Sequence, residues 1–348
     1  MPAPQIRFLL MTTMLIGTLV TAMSSHWFAA WIGIELNTLA FIGIMSKGSD
    51  PRTIEATTKY FVVQATAATM LLFAATLNAW YTGSWEIQQM THPFFSVFFT
   101  LSLAMKLGVA PFHAWFPEVL QGINLKAGFI LTTWQKIAPF LLLMQLYFYP
   151  PIMTALGLVS VFIGGWGGLN QTSLRKLLAY SSVAHLGWMM IIMQFSPLLS
   201  LIALLLYFSL TAPLFLILSL TKSTTIKTLA SSSTKSLMTS LATGLLLLSY
   251  GGLPPLAGFM SKWFITSYLV SEEAVMIAFL MLPSALLSLY FYVRITYLAI
   301  MSSNPNNTTA ETFWRYPRKE TALPTAMCVI FTLLVLPLVP TILVLCLF

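Results

Sequence analysis

Charged residues are scarce in this sequence. Only 7% of the 348 residues are Asp, Glu, Lys or Arg, whereas 58% are hydrophobic. A soluble domain carries roughly 25% charged residues, so a soluble globular protein is excluded. The composition is that of a polytopic membrane protein, with one membrane domain over residues 1–348 and nearly all of its mass inside the bilayer.

Metal-binding and nucleotide-binding motifs are also missing. The two cysteines, Cys328 and Cys346, both lie in the last apolar run, and the four histidines are scattered along the chain. There is no CxxC or HxxxH pair, no GxGxxG and no P-loop. The sequence therefore predicts no iron–sulfur, zinc or nucleotide site on this chain, and no other cofactor or metal.

Basic residues outnumber acidic ones, 17 to 9, and give a net charge of +8. They are scattered through short loops and form no patch, so nucleic-acid binding is not expected. The first apolar run carries only Arg7 near its start and is followed by no convincing cleavage site. We interpret that run as a retained helix rather than a signal peptide.

Eleven apolar segments are long enough to cross a bilayer, which takes about 20 residues. The fourth is broken at Gly108–Pro111 and resumes as a half-helix at Ala114–Gln121, and the ninth is broken at GGLPPLAGF. Irregular backbone at membrane depth is tolerated only inside protein or beside a water-filled cavity. The predicted spans are residues 4–23, 26–45, 53–81, 93–121, 125–147, 151–169, 177–194, 197–220, 237–270, 274–300 and 323–348.

The loop charges support this threading. With loops placed on alternate sides, one side receives no lysine or arginine but receives Glu86, Glu272 and Glu273. Because a Lys/Arg bias in short loops marks the synthesis side of a membrane, the N-terminus is predicted inside and the C-terminus outside. The basic side receives Arg7, Lys47, Arg52, Lys126, Arg175, Lys176, Lys222, Lys227, Lys235, Arg315, Arg318 and Lys319.

The two broken segments resemble each other. LGVAPFHAWF, residues 107–116, is similar to GGLPPLAGFMSKWF, residues 251–264, and the two start on opposite sides in the threading. Interrupted segments at matching places in oppositely oriented halves are typical of inverted-repeat transporters. The sequence therefore predicts an all-α fold of two inverted five-helix repeats, about residues 1–148 and 149–300, with a C-terminal helix at 323–348.

Three charged residues lie near the middle of predicted spans: Glu35, Lys106 and Lys136. A charge at the bilayer centre costs about 3 kcal/mol on insertion scales. Glu35 is either a protonated carboxyl bonded to a neighbouring helix or the partner of a buried lysine, and we favour the pair. Lys136 is too deep for its side chain to snorkel to an interface, which is the ordinary alternative for a lysine in a span.

Two further titratable residues belong to the second half, His185 and Lys262. A histidine titrates near neutral pH and suits proton transfer, but a lone histidine in an apolar helix is often a packing residue. Both interpretations stay open for His185. Lys262 follows a break of unknown length, so its depth also stays open.

Five stretches together resemble the antiporter-like membrane subunits of mitochondrial respiratory complex I, NADH:ubiquinone oxidoreductase, and of multi-part cation/proton antiporters. In that family a glutamate and a lysine on neighbouring helices form a switching pair, which Glu35 and Lys106 match. Members commonly carry further helices before the repeats, and this sequence does not. The stretches are SSHWFAAWIGIELNTLAF (24–41), PRTIEATTKYFVVQATA (51–67), KLGVAPFHAWFPEVLQG (106–122), LRKLLAYSSVAHLGWM (174–189) and GGLPPLAGFMSKW (251–263).

The resemblance also assigns the remaining relay residues. Lys136 matches a central lysine, Lys262 matches a lysine in the second broken helix, and His185 matches a histidine between them. Together with the pair Glu35 and Lys106, they form the expected proton relay at mid-membrane. We expect Glu35 and Lys106 to approach within ion-pair distance.

The resemblance implies proton translocation across the inner mitochondrial membrane, coupled to electron transfer from NADH to ubiquinone. NADH, ubiquinone, flavin and iron–sulfur clusters are expected on other subunits, because nothing on this chain can carry electrons. The expected partners are other membrane subunits and lipids, with no nucleic acid and no soluble substrate. Two alternatives stay open: a structural spacer that moves no protons, and a subunit of a cation/proton antiporter.

Cysteine labelling checks the predicted topology. In a background with Cys328 and Cys346 replaced by serine, Lys47→Cys should react with an impermeant maleimide only from the matrix side. Glu86→Cys should react only from the opposite side, because an odd number of spans separates the two loops. Labelling of both positions from one side would contradict the threading.

Overall fold

The computed structural model describes residues 4–46, 50–87, 89, 92–146, 150–233, 237–254, 256–301, 326, 327, 329 and 330. Within these ranges the regular structure is helical, apart from two isolated backbone bridges. The predicted all-α polytopic fold is confirmed. The helices are α1 (Pro4–Met23), α2 (Trp27–Met45), α3 (Pro51–Thr82), α4 (Pro93–Leu107), α5 (Trp115–Gly122), α6 (Leu125–Thr132), α7 (Trp134–Gln145), α8 (Pro150–Gly168), α9 (Leu174–Met193), α10 (Pro197–Thr221), α11 (Ile226–Ser233), α12 (Leu237–Gly251), α13 (Ala257–Ser271) and α14 (Val275–Met301).

Eight segments of the described chain are long and apolar enough to cross a membrane. Two shorter apolar helices, α4 and residues 239–251 of α12, form the first halves of the two broken spans. These ten correspond to the first ten spans predicted from the sequence. Most of the predicted eleventh span, including Cys328 and Cys346, lies outside the described residues, so the total of eleven stays a prediction.

The chain divides into two compact units, Met1–Ser160 and Val161–Phe348, with the boundary inside α8. The division into repeats at 148/149 expected from the sequence stays a prediction. The inverted relation of the two repeats stays a prediction.

Histidine side chains cap the N-terminal ends of two helices of unit 1. The Phe28 N–H donates to His26 Nδ1 at 3.2 Å at the start of α2, and the Phe94 N–H donates to His92 Nδ1 at 3.3 Å at the start of α4. Each imidazole thereby satisfies a backbone donor that the helix leaves unpaired. His26 also forms a backbone bridge with Glu86, which joins two loops that the threading places on the same side.

The break in the fourth span begins at Gly108. This residue has φ of +74° and directly ends α4, a conformation that glycine adopts without the steric cost of a side chain. A methyl group there would also lie 3.3 Å from the Trp115 ring. The chain then passes through a cis Ala110–Pro111 bond into the half-helix α5, close to the predicted bounds.

The fifth span contains an interruption that the sequence analysis missed. Helix α6 ends at Thr132 and α7 begins at Trp134, with Thr133 between them at φ −112° and ψ −73°. Pro139 lies inside α7 and has no N–H to donate to the carbonyl four residues earlier. The predicted span is confirmed over Leu125–Gln145, but its helix is interrupted one turn before Lys136.

The GGWGG sequence of α8 lets two helices of unit 2 pack closely against it. A methyl group on Gly164 would lie 2.6 Å from the Ala184 backbone nitrogen of α9, and one on Gly165 would lie 3.1 Å from the Ser284 carbonyl of α14. Glycines three residues further along repeat these contacts with rings of α9 and α14. Small residues allow such close approach of helices in membranes.

The ninth span breaks in the same way as the fourth. Helix α12 ends at Gly251, and Gly252 follows at φ +85° before α13 begins at Ala257. Gly258, in the first turn of α13, packs directly against the Ser249 carbonyl. The short helix α11, before α12, was not expected from the sequence.

Gly258→Ala should destabilise unit 2 by about 1–3 kcal/mol, the usual cost of forcing extra atoms into a packed interior. Its methyl group would overlap the backbone oxygen of Ser249, which cannot rotate away. Gly244→Ala is the matched control, because its methyl group would meet only the end of the Ile300 side chain, at 3.2 Å. Thermal denaturation of the assembled complex, followed on native gels, checks this, and equal stability of the two variants would contradict it.

Candidate functional site

Unit 1 contains a polar cavity bounded by α2, α3, α4, α5, α6 and α7. Its apolar wall is formed by side chains such as Ile34, Trp115 and Leu131. In this conformation the space admits about one water molecule. The polar residues that line it are Asn37, Thr38, Tyr60, Gln64, Lys106, Gln135 and Lys136.

Lys106 is placed in this cavity by the last turn of α4. Its side chain is 5% exposed, and Nζ has no hydrogen-bond partner among the described residues. The backbone carbonyl of Lys106, which the helix break leaves without its usual donor, accepts a hydrogen bond from Gln64 Nε2 at 3.4 Å. A buried ammonium without a fixed partner is costly, and the cavity has room for one water molecule to serve as that partner.

Glu35 lies at the edge of the cavity rather than inside it. Its carboxylate is half-buried and accepts a hydrogen bond from the Thr38 hydroxyl at 3.4 Å. The charges of Glu35 and Lys106 interact electrostatically, but the two groups form no ion pair within 4.0 Å. The expected direct contact is therefore wrong for this conformation, in which Ile34 and Asn37 of α2 line the cavity and Glu35 does not.

Lys136 is the most deeply buried lysine of the described chain, at 2% exposure. Helix α7 presents it to the cavity one turn after the interruption at Thr133. Its Nζ lies 5.2 Å from the centre of the Phe116 ring of α5. Ammonium groups within about 6 Å of an aromatic face are attracted by the ring quadrupole.

Three polar side chains of unit 1 form a buried chain that the sequence analysis missed. Tyr60 donates to Gln135 Oε1 at 3.4 Å, and Gln135 Nε2 donates to Asn37 Oδ1 at 3.1 Å. They come from α3, α7 and α2 and line the cavity beside the two lysines. The available signal was an amide side chain in an otherwise apolar segment, at Asn37 and at Gln135, since such groups need hydrogen-bond partners inside a membrane.

Unit 2 contains a second polar cavity, which also admits about one water molecule. It brings together His185 of α9 and Lys262 of α13, as the sequence analysis grouped them. Aromatic residues form much of its wall, including Trp188. The other lining residues are Val161, Ser181, Ala184, Tyr250, Ser284, Ser288 and Tyr292.

Lys262 reaches back to the helix break. Its Nζ donates to the Gly251 carbonyl at 3.0 Å, at the end of α12, and lies 3.5 Å from the Ser288 hydroxyl. A methyl group on Gly252 would lie 3.2 Å from the Lys262 side chain, so the glycine also makes room for it. Lys262 therefore faces the interior of unit 2, and its depth in the membrane stays a prediction.

His185 lies among aromatic rings. It is 8% exposed, and its ring centre lies 5.5 Å from that of Tyr207 and 5.6 Å from that of Tyr250. Tyr250 in turn stacks on Tyr292 at 5.7 Å. This packing places an imidazole, two phenols and the Lys262 ammonium around one space.

Ion pairs within the described ranges occur at one place, on α3. Lys59 Nζ lies 2.6 Å from Glu55 Oε1 and 2.7 Å from Glu118 Oε2. The described residues contain no group of three His, Cys, Asp or Glu side chains that could hold a metal ion.

Fold and site define the class of protein. A chain of broken helices with buried lysines in two polar cavities fits the antiporter-like subunits, and the NADH:quinone oxidoreductase/Mrp antiporter transmembrane family model matches residues 24–288. The NADH dehydrogenase subunit 2 C-terminus model matches residues 289–343. The chain belongs to the NADH-ubiquinone oxidoreductase chain 2 family and is an antiporter-like membrane subunit of that enzyme.

Relatives support this assignment over the full length. The NADH-ubiquinone oxidoreductase chain 2 of Tetraodon nigroviridis is 52% identical over 344 residues and covers 99% of both chains. That of Salmo salar is 51% identical over 341 residues, covering 97% of this chain and 98% of the relative. That of Xenopus laevis is 48% identical over 319 residues, covering 91% and 92%.

Solved structures share the fold. A chain of respiratory complex I from Thermus thermophilus superposes with a TM-score of 0.82 at 26% identity, covering 95% of this chain and 79% of that chain. A chain of the Mrp complex from Dietzia gives a TM-score of 0.80 at 16% identity, with 96% and 75% covered. The second likeness concerns the fold alone.

Gln135→Leu should destabilise unit 1 by about 1–3 kcal/mol for each buried group left unpaired. The substitution removes both hydrogen bonds made by Gln135 and leaves the Tyr60 hydroxyl and the Asn37 side-chain oxygen without these partners. Gln145→Leu is the control, since Gln145 is exposed on the same helix. The melting temperature of the assembled complex provides the measurement. An unchanged melting temperature for Gln135→Leu would show that the two hydrogen bonds of Gln135 contribute nothing to stability.

Proposed function

We propose that this chain translocates protons through a relay of buried side chains, in the order Glu35, Lys106, Lys136, His185 and Lys262. One observation carries the proposal. Lys106 and Lys136 line one polar cavity of unit 1, and His185 and Lys262 line another in unit 2. Four of the five groups thus lie in two small spaces in which protonation of one changes the other.

Electrostatics couples the groups within each cavity. Charges that share a space of low dielectric constant interact far more strongly than charges in water, so their titrations merge. A proton added to Lys106 disfavours a second one on Lys136, and the negative charge of Glu35 acts on Lys106 from the cavity edge. Movement of Glu35 relative to Lys106 is therefore the step that sets the charge of the first lysine.

Hydration is the second requirement of the relay. Each cavity holds about one water molecule in this conformation, so the space is too small for a continuous water wire. Transient wetting of the two helix breaks supplies the missing water, because the backbone groups freed there are polar. Transfer from Lys136 to His185 completes the order that the family resemblance implies.

Energy for the relay comes from outside this chain. Moving a charge outward against the membrane potential costs about 2.3 kcal/mol per 100 mV. Electron transfer from NADH to ubiquinone takes place on other subunits, where the flavin, the iron–sulfur clusters and both substrates bind. This chain carries no cofactor of its own and has no soluble substrate or nucleic acid to bind.

We infer that the chain lies in the inner mitochondrial membrane, with its N-terminus on the matrix side and with membrane subunits and lipids around it. The family assignment and the vertebrate relatives support the location. The charge bias of the loops supports the orientation. We infer that the two sequence repeats, about residues 1–148 and 149–300, are the two halves of one transporter, in line with the matching breaks after Leu107 and Gly251.

Lys136→Met tests the relay. Methionine fills a similar volume without a charge, so the complex should assemble while proton pumping per electron, or turnover, falls strongly. Lys126→Met is the matched control, since Lys126 is exposed on α6 and outside both cavities. Assembly is measured on native gels and pumping in proteoliposomes.

The outcomes separate the candidate functions. Full pumping by the assembled Lys136→Met complex would refute the relay and favour the spacer, in which the buried charges only pack helices. Loss of sodium or potassium transport in place of proton transport would favour a cation antiporter. The same turnover in Lys126→Met and the unmodified complex is required for either conclusion.

A further inference from the structure

The half-helix α5 links the surface of unit 1 to its polar cavity. It has only eight residues, about 12 Å in length, and follows the break in the fourth span. Phe116 and Glu118 are two residues apart, which is about 200° around a helix, so they point in opposite directions. Phe116 lines the cavity, whereas the Glu118 side chain is 52% exposed.

Glu118 fixes α5 to α3 through a lysine. Lys59 Nζ lies 2.7 Å from Glu118 Oε2 and 2.6 Å from Glu55 Oε1, so one ammonium joins both carboxylates. Glu55 belongs to α3, as Lys59 does, so its ion pair with the lysine joins no second helix. Exposed ion pairs add little to global stability, so this pair is better suited to orientation than to folding.

A close backbone contact provides the second attachment. Gly122 ends α5, and a methyl group there would lie 2.6 Å from the Ala56 side chain and 2.8 Å from the Arg52 carbonyl. Helix α5 is thus attached to α3 at its last residue and in its first turn. A short helix attached at two points cannot rotate about its own axis without breaking one of them.

Rotation of α5 would change the surroundings of Lys136. The Phe116 ring lies 5.2 Å from Lys136 Nζ, near the limit of about 6 Å for attraction between an ammonium and a ring. A shift of about 1 Å would therefore weaken this contact and open the wall of the cavity.

We propose that Lys59 and Glu118 are positioning residues for proton transfer, because their ion pair orients α5 and thereby holds the Phe116 ring over Lys136. The role rests on the proposed function, since it matters only if Lys136 carries protons. Neither Lys59 nor Glu118 touches the cavity. They act through α5 on the residue that does.

Glu118→Gln tests the proposal in the assembled complex. Proton pumping per electron should fall between about threefold and tenfold, because small misplacements of reacting groups have large effects on rate. Glu118→Asp, which keeps the charge, should retain most of the pumping. The double variant Lys59→Glu, Glu118→Lys should restore it, since the pair is re-formed with reversed charges.

Glu55→Gln is the matched control. It removes the other carboxylate bound to the same lysine but leaves the attachment of α5 intact. Pumping should therefore match that of the unmodified complex. A loss equal to that of Glu118→Gln would show that surface charge, and not the orientation of α5, is responsible, and would overturn the proposal.

Substitution of the ring tests the same link from the interior. Phe116→Leu should reproduce the loss seen in Glu118→Gln, whereas Phe116→Tyr, which keeps the ring, should not. A structure of the Glu118→Gln complex should place the ring centre beyond about 6 Å from Lys136 Nζ. A ring that stays at its original distance would contradict the proposed link.

The two proposals fail in different ways. If Lys136→Met pumps fully, the relay is wrong and the positioning role loses its basis. If Lys136→Met is impaired while Glu118→Gln pumps normally, the relay stands and only the positioning role is refuted.

Discussion

Burial of amines in an apolar bundle is the constraint on which the rest of this structure depends. A lysine ammonium in hydrocarbon needs polar neighbours, and an α-helix has none to offer because its backbone groups are already paired. The chain meets this need by interrupting helices beside its lysines. Left-handed glycines at Gly108 and Gly252 end α4 and α12, and an interruption at Thr133 precedes Lys136.

The two units satisfy the constraint differently. In unit 2 the Lys262 ammonium binds the Gly251 carbonyl that the break sets free. In unit 1 the side chain of Gln64 donates a hydrogen bond to the Lys106 backbone carbonyl at the break. The Lys106 ammonium has no hydrogen-bond partner among the described residues. The ammonium of Lys262 therefore has a fixed backbone partner, whereas that of Lys106 has only the small polar cavity around it.

Close packing keeps these polar spaces narrow. Glycines in α8 let α9 and α14 approach to backbone contact in unit 2, and Gly122 does the same between α5 and α3 in unit 1. Interiors packed in this way respond to a local change by moving whole elements rather than by local adjustment. A half-helix such as α5 is the smallest element that can move, which is why its attachment at Glu118 matters.

The sequence by itself determined the membrane class, the positions of the first ten spans, the two glycine–proline breaks and the identity of the buried titratable residues, because charge in an apolar run is too costly to be incidental. Only the tertiary structure decided which of these residues meet. Glu35 does not form the expected ion pair with Lys106. Hydrogen bonds among the buried side chains of Asn37, Tyr60 and Gln135 join three helices that are far apart in sequence. Such contacts depend on the rotation and approach of helices, which hydrophobic periodicity leaves undetermined.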